Sequence, residues 1–334
     1  MLRVSTLCAI VAILFYFLQK VFSLAMTLLA IILALALEQI HPLGNRNRVL
    51  LVFTRYANYL ERHLNAGRNR HGVLAWCLAV LPLAGFVWLI HGLLYKVTPA
   101  LALIWDVAVL YLTMGFRHFS SALTEISVAL AENRVVDARL ALARWSGQPT
   151  SELEVNEISR LTIEQGVIDS YRHVFGTMFW FAVLPGPAGA VMYRMSNMLY
   201  QKWGGREEVL GEAFGRFARR FHEAIDWLPV RLTSASFAVM GDFEDAVFCW
   251  RSQAIAWGHY AYGILLASAA GAIGVKLGDP LRQDYTVKYR PELGVGDEAD
   301  PDYLRRAVGL VWRSVVLWLA VILLLTLVQW LSLS

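Results

Sequence analysis

Twenty consecutive residues near the C-terminal end, Ser314–Leu333, contain no charged side chain. A stretch of that length and polarity matches the ~20 apolar residues that carry a helix through the hydrocarbon core of a bilayer. Arg305, Arg306 and Arg313 stand on its polar side, where basic residues anchor a membrane helix at the interface. Such a segment either tethers a soluble body or is one span among several. Composition favours several: of 334 residues, 57% are hydrophobic and 17% charged, against about 45–50% and about 25% in soluble domains. The expected fold class is therefore an all-α, polytopic integral membrane bundle of four to six spans or half-spans, with cytoplasmic helical segments.

Further apolar runs support that expectation. Val4–Leu18 and Val21–Leu37 are separated by Gln19 and Lys20. Residues 1–25 stand apart as an N-terminal apolar extension, read either as a signal-type anchor or as residues ahead of a true start at Met26; residues 26–334 form the main domain. The stretch 41–70 sets Arg46, Arg48, Arg55, Arg62, Arg68 and Arg70 against one acid, Glu61, which places it in the cytoplasm under the positive-inside rule. Val73–Leu94 and Pro99–Phe116 then read as a membrane hairpin joined by Tyr95–Thr98. Residues 117–172 read as a soluble helical hairpin broken at Gly147-Gln148-Pro149, with Thr150 or Ser151 capping the next helix. Val174–Val191 is apolar but interrupted by Pro185-Gly186-Pro187-Ala188-Gly189-Ala190. Such a break at membrane depth is tolerated where protein or a cavity covers the freed backbone groups. Residues 254–275, rich in Ala and Gly, suit a closely packed helix, and 276–307 read as a long loop. The placement of 194–313 relative to the membrane stays open, because 228–250 and 254–275 fit spans, re-entrant segments and surface helices alike.

The net charge of +4 is that of cytoplasmic loops, and no dense basic run with interleaved aromatics points to nucleic acid. Cys8, Cys77 and Cys249 lie in apolar surroundings outside any CxxC pair. The chain has no P-loop, dinucleotide fingerprint, HExxH or GxSxG elbow, and its eight histidines are scattered. No metal site and no cofactor is expected.

Six residues are candidates for a site. Asp106 lies mid-span, where an unpaired charge costs at least about 2.5–3.5 kcal/mol, so it is expected to face the bundle interior. Glu164 is a second candidate intramembrane polar group. Arg194 and Asn197 follow the Gly/Pro break, where exposed backbone N–H groups could join them in holding an anion. Arg231 stands beside an apolar run and needs a carboxylate or phosphate partner; Asp226 and Asp106 are the acids at hand. Each has a plain structural alternative: a buried ion pair, an interface anchor, a helix bridge.

The ordered set of segments resembles the CobD/CbiB superfamily of inner-membrane proteins, which includes the AmpE proteins. It runs from Leu37-Glu38-Gln39 and His41-Pro42-Leu43-Gly44 through Tyr59-Leu60-Glu61, Tyr111 to Ala138-Arg139 and 186–197 (GPAGAVMYRMSN). It continues in Asp226-Trp227-Leu228-Pro229-Val230-Arg231-Leu232-Thr233, in 271–280 (GAIGVKLGDP) and in Arg290-Pro291-Glu292-Leu293-Gly294. The cobalamin branch of that superfamily joins an aminopropanol unit, free or phosphorylated, to adenosylcobyric acid through an amide bond. Relative to its pattern, Met198 replaces a Thr and Tyr200 an Asp. Val167-Ile168-Asp169, followed by Arg172, replaces an Ala-Glu-Asn then Asp set, and Leu266 replaces a Glu. Because leucine and tyrosine cannot imitate a carboxylate ligand, the resemblance implies an AmpE-like, non-enzymatic inner-membrane modulator of envelope and β-lactamase-induction signalling. The implied partners are then membrane lipids and other envelope proteins. The alternative it implies is the cobalamin ligase, with a corrinoid as partner. A transporter or anion-binding membrane protein, suggested by the broken helix, is a third reading.

Overall fold

The computed structural model describes residues 24–40, 48–65, 69–204, 213–278, 281–283, 286–288 and 290–332. The first apolar stretch, His41-Pro42-Leu43-Gly44, Arg46 and Arg68 lie outside these. Thirteen α-helices carry the described fold: α1 (Leu24–Ile40), α2 (Arg48–Leu64), α3 (Asn69–Val97), α4 (Pro99–Thr113), α5 (Phe116–Ala131), α6 (Val135–Ser146), α7 (Val155–Ser170), α8 (Gly176–Val183), α9 (Ala188–Trp203), α10 (Ala213–Met240), α11 (Phe243–Gln253), α12 (Tyr260–Ile273) and α13 (Pro301–Leu331). The all-α class holds.

Helix boundaries follow local chemistry. Thr98 caps α4, its hydroxyl accepting from the Leu101 N–H at 3.4 Å, with Pro99 at the first helical position. Asp300 and Pro301 repeat that arrangement at the start of α13. That helix begins 13 residues before the uncharged run, so Arg305, Arg306 and Arg313 are helical. The cap of α7 differs from expectation. It is Glu154, in a reciprocal capping box with Glu157, because the Thr150 hydroxyl instead donates to the Arg139 carbonyl at 2.8 Å. Residues 117–146 are also two helices rather than one, since Asn133 turns the chain in the left-handed region at φ 56°.

Helix α12 is buried on almost every side, as expected of a helix apolar all round, and packs between α10 and α11. One apolar cluster surrounds it, drawing on α7, α13 and α5. A second gathers Trp76, Trp203, Phe214 and Leu199 from α3, α9 and α10. Helices α9 and α10 contribute to both and form the seam between them. The segment after α12 is short strands rather than a plain loop: β1 (Val275–Lys276) pairs in parallel with β4 (Asp297–Glu298), and β2 (Leu281–Gln283) antiparallel with β3 (Thr286–Lys288).

Among the described residues, two helices are long and apolar enough to cross a membrane, α3 and α13. Only 11% of the residues in the most apolar window of α13 are buried, so most of its Leu and Val side chains beyond Val315 face outward. Helices α1, α4 and α12 are shorter apolar helices.

Candidate functional site

At the seam between the two apolar clusters lies a buried group of charged and aromatic side chains. It begins where α7 ends. Residues Tyr171–Phe175 form one π-helical turn joining α7 to α8. A π turn inserts a residue into an α-helix, is rare, and is frequent at functional sites. The Tyr171 hydroxyl donates to Asp226 Oδ1 on α10 at 2.6 Å, while Arg172 reaches α12. Gly176, one residue past the turn, makes room for the Tyr193 ring, whose atoms stand where a Cβ would be.

The contacts run as a chain across five helices. His222 and Asp226, four residues apart on α10, share a face, with His222 Nε2 3.2 Å from Asp226 Oδ2. The His222 ring stacks on Tyr200 of α9 at 4.7 Å between centroids, and Tyr200 lies edge-on to His259 at 5.9 Å. His259 stacks on Tyr262 at 4.1 Å. The Tyr262 hydroxyl accepts from Arg172 Nη2 at 2.6 Å and Nε at 3.0 Å. Arg172 Nη1 lies 3.8 Å from Asp169 Oδ1, and Asp169 Oδ2 accepts from Trp145 Nε1 at 3.0 Å and Gln165 Nε2 at 3.1 Å. Gln165, which donates to Asp169, also lines a cavity of about 380 Å³ together with Glu164, Ile168, Trp257 and Arg290.

Burial sets the protonation states. It pushes the His222 and His259 imidazoles below their ordinary value, opposed in both by the charge of Asp226. Both rings are thus neutral near pH 7 and able to accept a proton. Burial, with Asp226 next, holds Tyr171 and Tyr193 well above the ordinary phenol value, so Tyr171 remains a donor. The Arg194 guanidinium is pulled down to about 10 by desolvation, opposed by Asp169, and stays charged.

The sequence candidates fall in different places. Asp226 belongs to this chain of contacts, Arg194 lies within electrostatic reach of Asp169 and Arg172, and Asn197 sits three residues further along α9. Asp226 is 1% exposed and Asn197 fully buried; Asn197 Oδ1 accepts from Gln201, while its Nδ2 and Arg194 Nε have no hydrogen-bond partner. Arg231 is elsewhere. It donates to the Trp227 carbonyl at 2.7 Å and lies over the Trp227 ring at 4.4 Å. Five residues put it about 140° around the helix from Asp226, so the expected pairing does not form. Asp106 bonds His91 in the α3–α4 hairpin, and Glu164 is clasped by Arg290 in two hydrogen bonds of 2.8 and 2.7 Å. Sequence reasoning missed His222, His259, Tyr171 and Tyr193, and treated Asp169 and Arg172 only as departures. The His-x-x-x-Asp spacing at 222–226 was the available signal. Leu266 lies in the apolar core, and the polar chain carries carboxylates at Asp169 and Asp226.

These features define a class: an all-α bundle with outward apolar helices and a desolvated acid–base centre at a helix seam. Residues 27–311 match the family described as CobD/Cbib protein, and the chain belongs to that family, a membrane family. It is 35% identical over 299 residues to the cobalamin biosynthesis protein CobD of Stutzerimonas stutzeri, covering 88% of this chain and 96% of that one. It is 36% identical to CobD of Chromobacterium violaceum over 75% of this chain and 78% of that one. To the cobalamin biosynthesis protein CbiB of Salmonella arizonae it is 25% identical over 84% and 89%. No solved structure matches. These relatives overturn the expectation of an AmpE-like, non-enzymatic modulator of β-lactamase induction: the similar proteins are named for cobalamin biosynthesis.

Proposed function

We propose that this protein is the cobalamin-pathway ligase, forming the amide between an aminopropanol unit, free or phosphorylated, and adenosylcobyric acid in the bacterial inner membrane. The observation that carries the reading is the buried chain from Asp169 and Arg172 to His222 and Asp226, with Arg194 beside it. Amide formation needs an amine that has lost a proton and a carboxylate activated as a mixed anhydride by a nucleoside triphosphate; the amine nitrogen bonds the acyl carbon as the carbon–oxygen bond to phosphate breaks and the phosphate leaves. A neutral imidazole backed by a carboxylate suits the first requirement. His222 accepts the proton of the amine, and Asp226 stabilises the resulting imidazolium. Arg172 and Arg194, held in a desolvated seam, stabilise negative charge developing on the acyl or phosphoryl oxygens. Helices α1, α3, α4 and α13 cross the membrane in this reading.

The test is expression in a bacterium lacking its own CobD/CbiB ligase, supplied with cobyric acid, with adenosylcobinamide and its phosphate assayed by mass. Product is expected from the wild-type chain and loss of product from Asp226→Asn and Arg172→Gln, each present in the membrane at wild-type level. Absence of product from a correctly inserted wild-type chain overturns the reading.

A further inference from the structure

A second polar pocket lies at the other end of α9, away from Tyr193–Tyr200. Asp106 Oδ1 is 2.7 Å from His91 Nδ1, and the Asp106 side chain is 7% exposed. No other hydrogen bond to Asp106 is made among the described residues, so its second oxygen is left for another donor. A cavity of about 550 Å³ opens beside the pair, lined by Met26 and Thr27 of α1, by His91, Gly92 and Tyr95 of α3, and by the chain from Phe181 to Gly186. That last wall is the C-terminal end of the continuous helix running through α7, the π turn and α8. Pro185 and Pro187 stand four residues past Phe181 and Val183 and have no N–H, so those two carbonyls lose their helical donors. Gly186, at φ 65°, brings the break against the His91 ring, where a Cβ would come within 2.9 Å.

A carboxylate oxygen, undonated carbonyls and the negative end of a helix all favour a cation. Broken-helix ends beside an intramembrane acid are the way membrane proteins hold small cations. The cavity is large for a bare ion and has apolar walls, which suits an organic cation. We propose that this cavity binds a small primary ammonium group, its three N–H donors shared between Asp106 Oδ2 and the carbonyls at the end of α8. A quaternary ammonium, with no N–H to donate, does not satisfy those acceptors. The site is separate from the acid–base centre and does not depend on the ligase reading.

The test uses the purified full chain in detergent and calorimetric titration with ethylammonium, choline and sodium chloride. Saturable binding of ethylammonium is expected in the wild-type chain and in Asp226→Asn, with at least tenfold weaker binding in Asp106→Asn and none of choline. Gly92→Leu supplies a second probe. No atom lies within 4 Å of a Cβ at Gly92, so the leucine fills the cavity, and it improves helix propensity; binding is expected to disappear. Retained binding in Gly92→Leu and Asp106→Asn, loss in Asp226→Asn alone, equal binding of choline, or displacement of the amine by equimolar sodium would each overturn the assignment, the last making this an alkali-ion site. No binding to the wild-type chain overturns it as well, whatever the ligase assay gives.

Discussion

His222 and His259 carry the sharpest residue-level consequence of burial. Their folded-state values lie below the ordinary imidazole value, whereas in the unfolded chain they titrate at about 6.5. As pH falls through that point the unfolded state takes up protons that the native state refuses. Stability is therefore full above about 6.5 and declines as pH drops toward the lower folded values. Melting temperatures from pH 8 to pH 5 should fall, and His222→Gln should flatten the descent; an unchanged slope in that variant would place the titrating groups elsewhere. Asp226→Asn probes the same pair chemically. The Asn amide oxygen still accepts from Tyr171, so the fold is expected to survive, but the countercharge to an imidazolium is lost. Turnover should drop about 10²–10⁴-fold, the usual worth of positioned proton transfer, with the melting temperature nearly unchanged. A variant with full turnover would remove Asp226 from the chemistry.

At the scale of elements, the Glu164–Arg290 clasp ties the stranded segment after α12 to α7. The two side chains are 6% and 13% exposed, and Glu164 Oε1 also accepts the Gly278 N–H at 2.8 Å. Removing one member leaves a buried, uncompensated charge, a loss of about 3–5 kcal/mol. Chemical denaturation of Glu164→Ala should register that loss, and Glu164→Leu combined with Arg290→Met should regain much of it; additive losses in the double variant would show that the two do not act as a pair. How far such elements can be read in a sequence depends on the range of the forces that make them. The α3–α4 hairpin and α13 were legible because apolar length is local. The helix break at Pro185–Pro187 was legible because proline removes a donor wherever it stands. The clasp was not, since Glu164 and Arg290 are 126 residues apart and look like solvated charges until the chain folds. The π turn was equally hidden: nothing in Tyr171–Phe175 departs from helical composition, and packing against α10 and α12 decides the turn. Caps gave an intermediate case, with Glu154 winning over Thr150 only because Arg139 offered the hydroxyl a better use.

For the whole molecule the same reasoning settles family and leaves orientation to charge. The resemblance identified the superfamily from ordered segments, but chose the wrong branch by weighting single replaced acids over the match along the whole chain. Orientation rests on the arginines of 41–70, which face only Glu61 and belong on the cytoplasmic side. In the proposed reading α3 rises from that side and α4 returns, so the short link around Lys96 is expected outside and the turn before α7, around Glu152, inside. Lys96 and Glu152 are both exposed, so each accepts a cysteine without disturbing packing. In a chain carrying Cys8→Ser, Cys77→Ala and Cys249→Ala, Lys96→Cys should react with a membrane-impermeant maleimide in spheroplasts. Glu152→Cys should react only after the membrane is opened. The reverse pattern would invert the bundle. Labelling of both in sealed spheroplasts would mean that α3 and α4 do not cross, leaving α13 to hold the protein in the membrane.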